Sequence, residues 1–250
     1  LAILILGDLT DAKDRHPARL VNRVVFHISK LTESTRVFIL RGNHDYIDPN
    51  EPFFGFLDEL ERVEYISTIS EFEWYGGEAL FLPHTRSPDK DWCKIKTERF
   101  DYIFLHHTFN GAQSSNGTPL TGSPASRWKS THPCRVFSGD IHVPQTIGPV
   151  TYAGSPYHIH FGDSFNPRVL LIGKTTSDLH FETISKHTLT VASLDDLRGQ
   201  LARTDPNDQV KIRFQITREQ ALDWSKYMRG AADLCREFKV HMFGAEVRTP

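Results

Sequence analysis

An asparagine, a histidine and an aspartate stand in a row at Asn43-His44-Asp45, directly after the apolar run Val37-Phe38-Ile39-Leu40 and the pair Arg41-Gly42. Amide oxygen, imidazole and carboxylate together suit metal binding and proton transfer, and they make a poor core. The construction recurs. Residues 1–6 run into Gly7-Asp8, residues 101–105 into His106-His107-Thr108, and Arg135-Val136-Phe137-Ser138 into Gly139-Asp140-Ile141-His142. Open α/β sheets bind ligands beyond the carboxyl ends of their strands. Four such exits therefore point to one site assembled from separate loops.

Asp8, Asn43, His106 and His142 are the candidate ligands. Their donors suit borderline-hard divalent ions such as manganese, iron or zinc. A carboxylate can bridge two ions about 3.5–4 Å apart, the arrangement used in two-metal phosphoester hydrolysis. His44 then needs no metal: it can contact the phosphate or protonate the leaving oxygen, with Asp45 orienting its ring. Taken singly, each residue has a plainer reading. A strand-end aspartate usually caps a helix or shapes a turn, and most of the 13 histidines should be surface or satisfied core residues. The coincidence at four exits outweighs that.

The elements that must position these residues are legible. Residues 1–6 and 37–40 read as buried parallel strands. Between them Leu20, Val21, Val24, Val25, Ile28 and Leu31 recur at helical spacing after Pro17, completing a β-α-β unit. Phe53-Phe54-Gly55-Phe56-Leu57, beyond a Pro-rich loop at 48–52, reads as a helical turn anchored by aromatics. Residues 64–67, 72–75 and 79–82 read as meander strands, 92–99 as a helix and 101–105 as a strand. A long irregular loop covers 110–133. Strand segments follow at 135–137 and within 148–156, then a hairpin of 169–172 with 179–183 turning at Gly173. Beyond 204, a strand at 210–216, a helix at 218–238 and a strand at 240–247 form a small β-α-β appendage. The expected domains are 1–204 and 205–250.

The chain has 250 residues, 39% hydrophobic and 24% charged, which is ordinary for a globular protein with a sizeable core. A net charge of −2 gives no global nucleic-acid signal, although a nuclease needs only a local basic surface. Cys93, Cys134 and Cys235 are far apart, odd in number and outside any metal-ligand spacing. This favours a reducing, cytoplasmic setting and buried thiols. No apolar run reaches membrane-spanning length, so no membrane association is expected. The opening in mid-strand with Leu1 rather than Met reads as a fragment.

In order, Gly7-Asp8-Leu9-Thr10-Asp11, Gly42-Asn43-His44-Asp45, Leu105-His106-His107 and Gly139-Asp140-Ile141-His142 resemble the calcineurin-like metallophosphoesterase superfamily. The resemblance implies an α/β fold, a β-sandwich flanked by helices, with a di-metal site at its rim and manganese, iron, zinc or magnesium as the ion. It implies Asp8 as the bridging ligand, Asn43 and His106 on the second metal and His142 on the first, with His44 as the acid. Asp140 stands where the first histidine of the usual G-H-x-H element would be, and can ligate through oxygen. A D-x-H element on an opening strand is absent, which the resemblance assigns to truncation.

A narrower similarity is to SbcD-type DNA nuclease subunits. It rests on Pro17, Asn22 and Arg23 after the second motif, on Tyr152-Ala153-Gly154-Ser155-Pro156 with Phe161-Gly162-Asp163, and on the appendage, which resembles the start of their capping domain. Ser138 to Gln145 is similar to uncharacterised, often phage-encoded, relatives. This implies DNA as substrate, a role in DNA repair, and an SbcC-like ATPase or a second copy as partner. His84 and Arg127 are candidate substrate contacts beside Asn43 and His44, although a plain loop position for His84 and an ordinary solvated surface for Arg127 are the favoured readings. The four tryptophans read as packing residues, with Trp128 the one candidate stacking platform. The competing readings are hydrolysis of a phosphoprotein, nucleotide or small ester, and a degenerate non-catalytic binding module.

Overall fold

The computed structural model describes residues 1–45, 48, 50–129 and 134–249. Pro49 of the expected loop at 48–52, residues 130–133 of the loop at 110–133, and Pro250 lie outside the described residues. The chain divides into two compact units, Leu1–Gly154 with Leu170–Ser177, and Ser155–Val169 with Asp178–Pro250.

In the first unit, β1 (Ala2–Ile5), α1 (Ala18–Thr32) and β2 (Arg36–Leu40) form the expected β-α-β unit, and β3 (Val63–Ile66) adds to β2 in parallel. A second sheet has six strands. They are β4 (Ser70–Trp74), β5 (Gly77–Leu82), β6 (Tyr102–His106), β7 (Arg135–Gly139), β8 (Gln145–Ile147) and β9 (Val150–Tyr152), in the order β4-β5-β6-β7-β9-β8. Its four central strands are parallel, and β4 and β8 pair antiparallel at the two edges.

Alternation along the strands builds the layers. Val37 and Ile39 pack with Ile28 of α1 and with Phe54 and Leu57, while Phe38 and Leu40 pack with Phe81, Phe104 and Phe137 of the other sheet. On the far side of that sheet, Leu80, Leu82, Ile103 and Leu105 meet Trp92, Phe100, Phe109 and Trp128. Strands buried on both faces read as unbroken apolar runs, which is why they are visible in the sequence. Trp128 is fully buried and therefore a packing residue.

Some expectations are corrected. The proposed meander is split, because β3 belongs to the first sheet and the β4–β5 hairpin opens the second. The helix expected at 92–99 is a short α2 (Pro88–Asp91) and a 3-10 turn at Thr97–Arg99. The fully buried Trp92 ends the helix by anchoring the chain in the core. The hairpin return strand begins earlier than expected. Gly173 closes a tight turn onto the Thr175 carbonyl at 2.9 Å, so β10 (Val169–Ile172) pairs with β11 (Thr176–Leu179).

In the second unit, β12 (Lys186–Val191), β13 (Gln209–Gln215) and β14 (His241–Arg248) form a parallel sheet. α3 (Leu194–Leu201) and α5 (Trp224–Glu237), the latter preceded by the single turn α4 (Arg218–Ala221), supply the helical side of its core. Position 204, the expected boundary, lies between α3 and β13 of this arrangement. All three cysteines are free. Cys235 is buried and Cys134 partly so, but Cys93 is exposed, contrary to its expected burial. Among the described residues no helix is long and apolar enough to cross a membrane.

Candidate metal centre

The chain leaves β1 through Gly7 and Asp8, both in the left-handed backbone region with φ of 92° and 56°. Glycine takes that conformation freely, and other residues do so at a cost. Hydrogen bonds hold Asp8 in it. Its amide donates to Asp45 Oδ2 (3.1 Å), and its Oδ1 accepts from the His44 amide (2.9 Å). The Gly42 amide donates to the same Asp45 oxygen (2.9 Å). A Cβ on Gly42 would strike the Asp8 carboxylate, and a Cβ on Gly7 or Gly139 would crowd His106 Nδ1. The glycines ahead of Asp8, Asn43 and Asp140 are thus a spacing requirement, because these loops approach to contact distance.

His106 ends β6 and is fully buried. Its Nδ1 donates to the Leu6 carbonyl at 2.6 Å, which in the neutral ring leaves the lone pair on Nε2. That Nε2 lies 3.4 Å from Asp8 Oδ2 and 3.7 Å from Asp140 Oδ1, aligned for a hydrogen bond with neither. Asp140, at φ 76°, accepts from Asn43 Nδ2 on Oδ1 (3.2 Å) and from the Thr108 hydroxyl on Oδ2. With its nitrogen so engaged, Asn43 keeps a buried Oδ1 that has no hydrogen-bond partner. Leaving a buried polar atom unmatched costs about 1–3 kcal/mol. Asp8, His106 and Asp140 each offer an atom within 4.8 Å of the others. Two carboxylates, an imidazole whose Nε2 is unmatched and the orphaned Asn43 oxygen fit a divalent cation.

Residues 1–144 match the calcineurin-like phosphoesterase family, which is more than half of the chain. The chain belongs to the calcineurin-like phosphoesterase family. Over 185 residues it is 25% identical to a protein of Invertebrate iridescent virus 6 named as a phosphoesterase, 244L, an alignment covering 68% of this chain and 62% of that protein. Over 240 residues it is 22% identical to one of Invertebrate iridescent virus 3 named likewise, 078R, covering 88% of this chain and 67% of that protein. The chain therefore spans about two thirds of the length of these relatives or less. Metal-dependent phosphoester hydrolysis is the chemistry of this family, and Asp8, His106 and Asp140 are described residues of this calcineurin-like phosphoesterase family member that could hold a metal ion.

The electrostatics of this phosphoesterase agree with that assignment. Burial alone would raise Asp8, but His106 and His44 hold its carboxyl below the ordinary range. Burial would lower His106, and the adjacent Asp8 and Asp140 carboxylates instead raise it. The proton favoured on His106 is the one a divalent cation would displace. Burial raises Asp45, with the Asp8 charge adding to it against the Gly42 and Asp8 amide bonds. Burial, reinforced by the charges of His106 and His107, lowers His84 to about 4.

The remaining expected residues fall at graded distances. The His44 ring meets the Asp11 backbone carbonyl through Nδ1. Asp45, expected to orient that ring, instead turns its Oδ2 back to the Asp8 and Gly42 amides. His84 lies beside the cluster, its ring centroid 6.2 Å from His106. Its amide donates to the Arg41 carbonyl at 2.9 Å, and the Arg41 guanidinium donates to the His84 carbonyl at 3.1 Å. His107 points elsewhere, to Ser123 Oγ at 2.8 Å. His142 is half-buried in the turn two residues past Asp140, and is not one of the three clustered donors. Arg127 sits 3.6 Å from Asp89 and over the Trp128 ring, and none of its described contacts is with the cluster. Thr108, which the sequence reading passed over, fixes Asp140.

Proposed function

We propose that this chain is a metal-dependent phosphodiesterase acting on DNA, as an exonuclease or endonuclease, using two divalent ions of which manganese suits the donors best. The observation that carries the hydrolytic reading is the Asp8–His106–Asp140 cluster beside the orphaned Asn43 oxygen. When bound, such cations supply Lewis acidity at the phosphoryl group and make water more acidic. Asp8, Asn43, His106 and Asp140 would hold one ion. His142, on the same loop as Asp140, is proposed as a ligand of the other.

The protein's own groups do the rest. His44 is anchored by Nδ1 to the Asp11 carbonyl, and in its imidazolium form Nε2–H is the proton offered to the leaving oxygen. His84, neutral near pH 7, would hydrogen-bond a phosphate oxygen. Arg127 is proposed as a contact to the DNA backbone outside the cluster. DNA as substrate, and an SbcC-like ATPase or a second copy of this chain as partner, rest on the SbcD-like segments around Pro17, Asn22 and Arg23 and around Tyr152 to Asp163.

The test is manganese-dependent cleavage of single- and double-stranded DNA by the wild type, Asn43→Ala and His44→Ala. Loss of cleavage in both variants is expected, and equal cleavage by all three contradicts the proposal. Turnover of a chromogenic diester without any DNA cleavage would move the substrate to small phosphoesters or nucleotides.

A further inference from the structure

The 3-10 helix Phe53–Glu59 divides its aromatics between two faces. Three residues make a turn, so positions three apart share a face. Phe54 and Leu57 share one face and are fully buried. Phe53 and Phe56 share the other and remain 38% and 45% exposed, with ring centroids 6.3 Å apart. Scattered exposed apolar residues are common, whereas two exposed phenyl rings meeting edge to face, 75° between their planes, form a patch that offers one ring face and one ring edge.

His16 extends this patch toward the catalytic loops. Its ring lies 4.2 Å from Phe53 and 5.0 Å from the buried Phe54, centroid to centroid. Its Nε2 bonds Thr10 Oγ1 at 2.7 Å, and that hydroxyl donates to the Ala12 carbonyl at 3.0 Å. The preceding residue, Asp11, holds the His44 ring through its own carbonyl. One short loop, Asp8 to Ala12, therefore carries a metal-ligand candidate, the contact to the candidate acid and the support of the aromatic patch.

We infer that Phe53, Phe56 and His16 form a stacking platform for a nucleobase of the substrate, adjacent to the phosphoryl site. The inference rests on the phosphodiesterase reading and deepens it by naming a nucleoside as the group recognised. Flat rings stack any base without reading its hydrogen-bonding edge, so the platform confers preference for nucleosides and not for sequence. Continuity with the loop of Asp8 and Asp11 favours a substrate base over a protein partner as the occupant. A patch of two phenyl rings is also far smaller than the surface a stable protein interface buries.

The test compares wild type, Phe53→Ala/Phe56→Ala and Phe53→Leu/Phe56→Leu, the last keeping apolar bulk without a flat ring. Thymidine 5′-(p-nitrophenyl phosphate) and methyl p-nitrophenyl phosphate are hydrolysed in parallel with manganese, and the ratio of their kcat/KM values is read. Loss of one stacking contact should lower that ratio roughly tenfold in both variants. An unaltered ratio overturns the platform while leaving the hydrolase reading intact. If wild type hydrolyses neither ester, the hydrolase reading falls and the platform is judged by binding alone. A short single strand containing 2-aminopurine should then be quenched by wild type and not by either variant. Equal quenching by all three overturns the platform, as does a variant defect restricted to pull-down of a protein partner.

Discussion

Asn43 and His44 are neighbours in sequence but meet different partners, so their losses should differ. Asn43→Ala removes the orphaned oxygen beside the carboxylates and should weaken manganese binding in calorimetry. His44→Ala should retain the metal while kcat falls about 10²–10⁴-fold, the usual contribution of a positioned acid. A His44→Ala protein that loses the metal would contradict the assigned roles. Thr108→Val keeps shape but removes the hydroxyl that fixes Asp140. Loss of a group that orients a ligand typically costs about 10–100-fold in metal affinity, and unchanged affinity would make Thr108 structurally incidental. Asp8, Asn43, His106 and Asp140 were legible because each follows an apolar strand. Thr108 was not, because a hydroxyl gives no charge or ligand signal. Asp45 was assigned to His44 by adjacency, yet the tight turn sends its carboxylate back to the Asp8 and Gly42 amides.

At the scale of elements, the site depends on how closely the strand exits approach. Gly42→Ala would place a methyl group against the Asp8 carboxylate, where it can only displace the ligand or the loop. We expect manganese affinity to drop by at least tenfold with strand content preserved, read by calorimetry and circular dichroism together. Wild-type affinity in that variant would show that the loops do not meet as described. The strands themselves were legible as apolar runs buried on both faces. The sheet to which β3 belongs was not, because its pairing with β2 joins segments separated by a long connection and leaves no local trace. At 92–99, where a helix was expected, Trp92 is held by the core and not by a helical stripe.

At the scale of the whole molecule, the half-buried His84 and the buried His106 tie stability to pH. His84 titrates near 4 in the folded protein, below the ordinary imidazole value of about 6.5. Its contribution is fully present above about pH 6.5 and is lost as pH falls toward 4. His106 runs the other way: its raised pKa contributes stability below about pH 6.5 that is lost as pH rises through the folded value. Metal-free His84→Gln should therefore lose less stability than wild type between pH 7 and pH 4 in urea denaturation. Parallel curves would mean that His84 is not held neutral by burial. The central claim is that Asp8, His106 and Asp140 ligate a catalytic divalent ion. The direct measurement is an anomalous difference map from crystals soaked in manganese. A peak in contact with all three side chains and with Asn43 Oδ1 is expected. A fully soaked crystal with no peak there, or with manganese bound only elsewhere, would contradict it.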